Sequence, residues 1–358
     1  MKARTVILMP SVERNALGVE ELLARQDLYC SKLEEFQGEN FEKPLVILSG
    51  AEAPASNFKH IEICVVTKKS ISLLHFIFLA RKVLHQRSMV VSSYIAGTPY
   101  QPFLAALLLK NLYFSAPIHT TVHGEISSLK NGGLSELLKL QFLKVFIRKA
   151  DSVRFVSQKQ LIDAEAILPI GQLRTFVAPV PILNTKQHER SKDLRTIAFV
   201  GRLQSERGIN EWIEIAREFD QTDLIIVGDG PLMSQLKLEL PNAIFLGSLK
   251  NSEVQEVWSK VGVFLSAAPF ESYGLAMREA LLHNVPVVSR RNAGSTELKD
   301  HYPGLVELFD NKEEAVKKIT ITLSRKDLQS EFLKFRSDFF HTQNKTLDAL
   351  ARTWSNEF

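Results

Sequence analysis

Cysteine is nearly absent from this chain of 358 residues: Cys30 and Cys64 form no Cys-x-x-Cys pair and no disulfide framework. That excludes a thiol redox motif and a structural zinc site, and it suits a reducing compartment. Other short motifs are missing as well. There is no Gly-x-x-x-x-Gly-Lys phosphate loop, no Gly-x-Ser-x-Gly elbow, and no Asp-x-Asp pair to hold a divalent metal over a diphosphate. Long apolar runs are lacking too: residues 71–80 and 102–109 fall well short of the roughly 18 needed to span a bilayer. The run behind Met1 is too short for a signal peptide and reads as a first strand. A cytoplasmic protein that does not cross a membrane is expected. Neither sign of charge dominates, with 44 Lys and Arg against 40 Asp and Glu, a net charge of +4. That balance tolerates an anionic substrate or membrane surface but lacks the clustered basic and aromatic residues of a nucleic-acid binder.

What is present is the alternation of an α/β protein. Strand-like runs at 5–9, 45–48, 61–66, 89–92, 118–122 and 153–156 are separated by helical patterns such as 19–36 and 72–85, which indicates a mainly parallel sheet covered by helices. From Arg195 the pattern restarts with Thr-Ile-Ala-Phe-Val-Gly and repeats through Val-Pro-Val-Val-Ser at 285–289. The stretch between has two prolines, many charges and no periodicity, as an exposed connection does. The expected domains are residues 1–183, a linker at 184–195, a second domain at 196–340, and a helical segment at 341–358 that packs back on the first domain. Two doubly wound domains facing a cleft would place ligands outside the carboxyl ends of the strands.

The run Pro269-Phe-Glu-Ser-Tyr-Gly-Leu-Ala-Met-Arg-Glu279 carries the most chemistry. A loop holds Glu271, a helix is expected to begin near Tyr273, and Glu279 stands one turn inside it. A helix N-terminus offers unpaired N–H groups and partial positive charge to a phosphate, and Gly274 lets that anion come close. Carboxylates beside it suit sugar hydroxyls, so the combination describes a nucleotide sugar. Acidic residues near a helix start are also ordinary dipole partners, but Glu279 lies on a helix apolar around most of its circumference and must be paired or face a ligand. Upstream, Gly201-Arg202 and Arg207 put two guanidinium groups on a loop behind a strand, where they suit phosphate oxygens or are simply solvated. Gly228 and Gly230 permit a close backbone approach to a ligand, or merely make a tight turn. Gly247, Ser248 and Leu249 close a further strand end where a base could lie. In the first half His123 follows a strand, and Gly18 opens the first helix.

In this order these motifs resemble the retaining glycosyltransferases of family 4, whose fold is GT-B, two Rossmann-like domains. The resemblance is strongest over 197–298, through Gly201-Arg202 with Arg207, Gly228-Asp229-Gly230-Pro231, the Glu271 to Glu279 spacing, Pro286-Val287-Val288 and Gly294 to Glu297. In the first domain only Gly18, His123 and the layout correspond. The resemblance implies that Glu271 holds donor-sugar hydroxyls, Glu279 the ribose, Arg202 and Arg207 the diphosphate, and His123 the sugar from the opposite wall. It assigns Ser272, Tyr273, Gly274 and Leu275 to the phosphate- and sugar-binding loop. Two departures stand out: the family usually has Lys at the place of Arg207 and Gly-Gly at Leu17-Gly18. The implied partners are a nucleotide-sugar donor and a glycan or lipid-linked acceptor, with no cofactor and no metal. A GT-B nucleotide-sugar epimerase and a nucleotide-sugar-binding protein without transfer activity are the alternatives.

A last pattern is the basic, amphipathic stretch 134–149, with Leu137, Leu138, Phe142, Val145 and Phe146 beside Lys139, Lys144, Arg148 and Lys149. Its apolar side is expected to pack on the first sheet. The alternative is a peripheral contact with an anionic membrane.

Overall fold

The computed structural model describes residues 3–12, 18–124, 126–130, 133–183, 194–325 and 327–355. It divides into two compact units, Met1–Pro181 with Thr342–Phe358, and Ile182–His341. Most of the expected linker, residues 184–193, lies outside the described residues, as does Leu17 beside Gly18.

The first unit runs β1 Arg4–Met9, α1 Val19–Gln37, β2 Leu45–Ser49, β3 Glu62–Thr67, α2 Leu73–Gln86, β4 Val91–Ala96 and α3 Gln101–Leu112. It continues through β5 Ile118–Val122, α4 Ile126–Lys130, α5 Leu134–Phe146, β6 Ser152–Phe155, α6 Gln158–Ile167 and β7 Arg174–Val177. All its strands pair in parallel, in the order β3-β2-β1-β4-β5-β6-β7. A parallel sheet must be covered on both faces. Here α2, α3, α5 and α6 bury Phe76, Phe103, Leu143 and Ala164 on one side, and α1 buries Leu23, Tyr29 and Leu33 on the other.

The second unit runs β8 Ile197–Val200, α7 Ile209–Ala216, β9 Leu224–Val227, α8 Met233–Glu239, β10 Ile244–Gly247, α9 Asn251–Trp258 and β11 Val263–Ser266. Then follow α10 Leu275–Leu282, β12 Val287–Arg290, α11 Ala293–His301, β13 Val306–Phe309, α12 Lys312–Ser324 and α13 Gln329–Trp354. Its sheet is again parallel, in the order β10-β9-β8-β11-β12-β13. Helix α13 belongs to both units. Phe332, Phe335 and Phe339 enter the second core, and Leu347, Leu350 and Trp354 enter the first, each set spaced i, i+3, i+7 along one helical stripe.

Three sequence expectations shift. The strand expected at 89–92 forms at 91–96, because residues 87–89 close α2 through bonds back to the Val83, His85 and Leu84 carbonyls. Past Ser92, where the expected strand stops, β4 continues with the buried Ser93, whose hydroxyl pairs with Thr5 Oγ1 at 3.1 Å and is satisfied inside the sheet. Strand β7, with Arg174 and Thr175, gave too little apolar signal to be seen. The helix expected near Tyr273 begins at Leu275, since Gly274 takes the left-handed conformation at its N-cap, φ 73.

Candidate functional site

Relabelled in chain order, the second sheet reads 3-2-1-4-5-6, so the topological switch lies between β8 and β11. Loops leaving two such strands diverge and leave a crevice at their carboxyl ends. The loop after β8 carries Gly201, Arg202 and Arg207; the loop after β11 carries Glu271, Ser272 and Tyr273. They meet there: Arg207 donates to Glu271 Oε2 at 2.5 Å, and both side chains are half-buried. Glu271 Oε1 takes no hydrogen bond among the described residues. Arg202 is exposed and, among the described residues, has no ion-pair partner.

Helix α10 starts beside this pair. Gly274 caps it with no side-chain bond, and its first turn holds no acidic residue, so its first N–H groups and partial positive charge are available to an anion. Leu275 is its first residue, and Glu279, half-buried, is its fifth. Ser272 and Tyr273 are buried, so neither presents its side chain to solvent.

The loop is held from behind by residues whose role the sequence did not disclose. The Gly294 N–H donates to the Glu271 carbonyl at 2.6 Å, and Asn292 Nδ2 donates to the Ala268 carbonyl at 2.9 Å. A side chain at 294 would stand 2.9 Å from the Tyr273 carbonyl carbon, so only glycine permits this approach. The Arg278 guanidinium lies 3.6 Å from the Tyr273 ring centroid and pairs with Glu297 at 3.0 Å. Gly208, φ 68, lets the start of α7 press on the Ala267 carbonyl, where a Cβ would come within 2.0 Å; this brings Arg207 to Glu271. A glycine directly behind an arginine, and one directly behind Asn-Ala, were the available signals.

The missing Cβ of Gly228 and that of Gly230 each face neighbouring backbone, the close packing of a tight turn. A Cβ on Gly228 would sit 1.8 Å from the Gly201 carbonyl oxygen, and one on Gly230 would sit 2.5 Å from that of Leu203. The space is filled by the chain itself. Gly247 accepts from the Gly228 N–H at 2.7 Å, Ser248 is exposed, and Leu249 packs against the core.

His123 and Gly18 belong to the first unit. His123 leaves β5 with an exposed face, yet the surrounding protein, followed by Arg154, pushes its imidazole down to about 4 against an upward pull from its bond to the Gly97 backbone. Exposure moderates the effect of burial; the direction, toward a neutral ring, rests on the nearby cations as well. Gly18 caps α1 with φ 76, but Glu20 and Glu21 already occupy that first turn. Helix α5 divides its apolar residues: Leu140 and Leu143 are buried, Phe142 and Phe146 pack beside them, and Leu134, Leu137, Leu138 and Val145 are exposed. Among the described residues no cluster of His, Cys, Asp and Glu could hold a metal ion, and no helix is long and apolar enough to cross a membrane.

Residues 183–335 match the family model described as glycosyl transferases group 1. A GDP-mannose-dependent alpha-mannosyltransferase of Corynebacterium glutamicum is 33% identical over 113 residues, 32% of this chain and 27% of that protein. An alpha-monoglucosyldiacylglycerol synthase of Streptococcus pneumoniae is 28% identical over 142 residues, 35% of this chain and 32% of its own. These matches thus span less than a third of either relative. HepE of Anabaena, solved with UDP and glucose, superposes with a TM-score of 0.70 at 16% identity, covering 99% of this chain and 98% of that one. Sucrose-phosphate synthase of Thermosynechococcus elongatus gives 0.69 at 13% identity, covering 99% and 97%. At such identities the likeness is one of fold, two Rossmann-like parallel-sheet units of the GT-B class. Within that fold, the match to the glycosyl transferases group 1 model takes in nearly all of the second unit, Ile182–His341.

Proposed function

We propose that this protein is a retaining glycosyltransferase, moving a sugar from a nucleoside-diphosphate donor to an acceptor hydroxyl in the synthesis of a surface glycan or glycolipid. The observation that carries the reading is the Arg207–Glu271 pair at the switch point beside the uncapped start of α10. In it, Arg202, Arg207 and the helix N-terminus receive the diphosphate, Glu271 Oε1 accepts a donor-sugar hydroxyl, and Glu279 accepts from the ribose. As the glycosidic bond breaks, charge grows on the departing diphosphate, and donors already in place favour that state over the bound substrate. No metal takes part in this scheme. A relative named for GDP-mannose and a neighbour holding UDP and glucose support the donor class and leave base and sugar open.

Thermal shift with UDP-, GDP-, ADP- and TDP-sugars, followed by assay of nucleoside diphosphate release in EDTA and NMR of the new anomeric bond, tests this reading. Stabilisation by one donor and a retained configuration are expected. Binding without release would leave a nucleotide-sugar-binding protein, and an altered free sugar nucleotide an epimerase.

The acceptor is a glycan or lipid-linked hydroxyl, and α5 is the surface on which a cytoplasmic enzyme would meet a membrane. Its exposed leucines stand among Lys139, Lys144, Arg148 and Lys149. Such a surface suits anionic lipid. Flotation with phosphatidylglycerol vesicles should show binding that salt abolishes; no association at low ionic strength would remove the membrane from the scheme.

A further inference from the structure

At the carboxyl ends of β4 and β5 the first unit holds a cavity of about 130 Å³. Pro99, Tyr100, Val122, Ile126, Leu129 and Leu143 supply the apolar part of its lining, and Thr98, His123 and the Tyr100 hydroxyl bring the side-chain polar atoms. Among the described residues no charged side chain lines it.

Its chemistry decides what it accepts. An anion would find no cation in the wall, and a sugar ring placed inside would leave several hydroxyls without partners, at about 1–3 kcal/mol for each unsatisfied group. An apolar group loses nothing there, and a cavity of roughly 150 Å³ is large enough for benzene. His123 marks the polar mouth. Its ring is bonded to the Gly97 backbone and keeps an exposed face, and the Gly124 carbonyl is engaged by Gln160 Nε2 at 2.7 Å, which fixes the turn. A hydroxyl beside the imidazole can hydrogen-bond the ring while its carbon skeleton fills the apolar part of the cavity.

We propose that this cavity is an acceptor subsite for an apolar group of about four to six carbons, aliphatic or aromatic, attached next to the hydroxyl that receives the sugar. The inference rests on the transferase reading, which gives the hydroxyl its role. Helix α5 then works on two sides, Leu143 facing the cavity while Leu134 and Leu138 face solvent.

Benzyl alcohol and glycerol serve as probes, titrated into the full chain with methyl-labelled leucine and observed by NMR. Saturable shifts of the Leu129 and Leu143 methyls with benzyl alcohol, and none with glycerol, are expected. Leu129→Trp, which fills the cavity, should weaken benzyl alcohol binding at least tenfold while leaving donor-induced thermal shifts unchanged. Should that variant fold poorly, Leu129→Ala enlarges the space and should shift preference toward 2-phenylethanol. Equal response to both probes, or shifts spread away from the cavity, would overturn the subsite. This binding test needs no turnover, so a protein inactive with every donor defeats the transferase reading and leaves the cavity result to be judged alone.

Discussion

The two units share a strand order from first to sixth strand yet differ in what their loops hold. In the second unit, the loops after the first and fourth strands bring opposite charges together at the switch point, Arg207 on Glu271, beside a helix start that carries no acid. In the first unit, the loop after the fourth strand, residues 97–100, carries no charge; the helix after the first strand begins with Glu20 and Glu21; and the chemistry moves one strand along, to His123. One topology thus holds an ion pair beside a helix start in one copy and an apolar, neutral pocket in the other. The scaffold sets where a site can be, and the loop residues decide its chemistry.

The comparison is most sharply tested by removing the cations of the charged unit. Arg202→Ala should lower turnover by roughly a hundredfold or more, as deletion of a preorganised donor at developing negative charge does, with an unchanged circular dichroism spectrum. Arg207→Ala should match or exceed it, because it also releases Glu271. Wild-type turnover in the Arg202 variant would mean that the exposed guanidinium is merely solvated.

Glu279→Ala comes next. Loss of a charge-assisted hydrogen bond to the ribose is worth about 1.5–3 kcal/mol, or about ten- to a hundredfold in nucleotide affinity by calorimetry. Unchanged affinity together with a large fall in melting temperature would assign Glu279 to the folded core instead.

Gly228→Ala and Gly247→Ala separate packing from ligand approach within that same unit. Both positions have positive φ, 132° and 68°, but only Gly228 has another residue's backbone within 4 Å of its missing Cβ. The Gly247 change should cost about 1–2 kcal/mol of stability for backbone conformation alone. Gly228→Ala should cost clearly more in a urea titration, since the Gly201 loop must move. Equal losses would contradict the packing role.

Much of this was legible in the sequence. Alternation gave the two parallel sheets, and the spacing from Glu271 to Glu279 gave the loop and helix of the charged site. What stayed hidden depended on contacts between distant residues. Nothing at position 208 announces that Ala267 lies against it, and Gly228 looks the same whether a phosphate or the Gly201 carbonyl comes close. The strand expected to stop at Ser92 runs on through Ser93, because a hydroxyl satisfied inside a sheet resembles an exposed one until its partner is known. The cavity beside His123 draws its wall from Tyr100, Ile126 and Leu143, too far apart along the chain for any spacing rule.

The smallest effect concerns the neutral pocket of the first unit and its dependence on acid. His123 is held down to about 4 in the folded chain by the surrounding protein and by Arg154 and Arg25, whereas an unfolded imidazole titrates near about 6.5. Between those values the unfolded state binds a proton that the folded state refuses, so stability is complete above about 6.5 and is lost as pH falls toward 4. The exposed face of the ring admits water and keeps the loss modest. Carboxylates such as Glu62, whose titration is lowered by Arg4 and Arg87, add a loss in the more acidic range. His123→Gln keeps a neutral hydrogen-bonding side chain, so it should flatten the fall from pH 6.5 to 5 and leave the steeper acid limb below it. Urea midpoints measured at half-unit intervals separate the two. An unaltered slope above pH 5 in the variant would show that His123 titrates as freely in the folded chain as in the unfolded one.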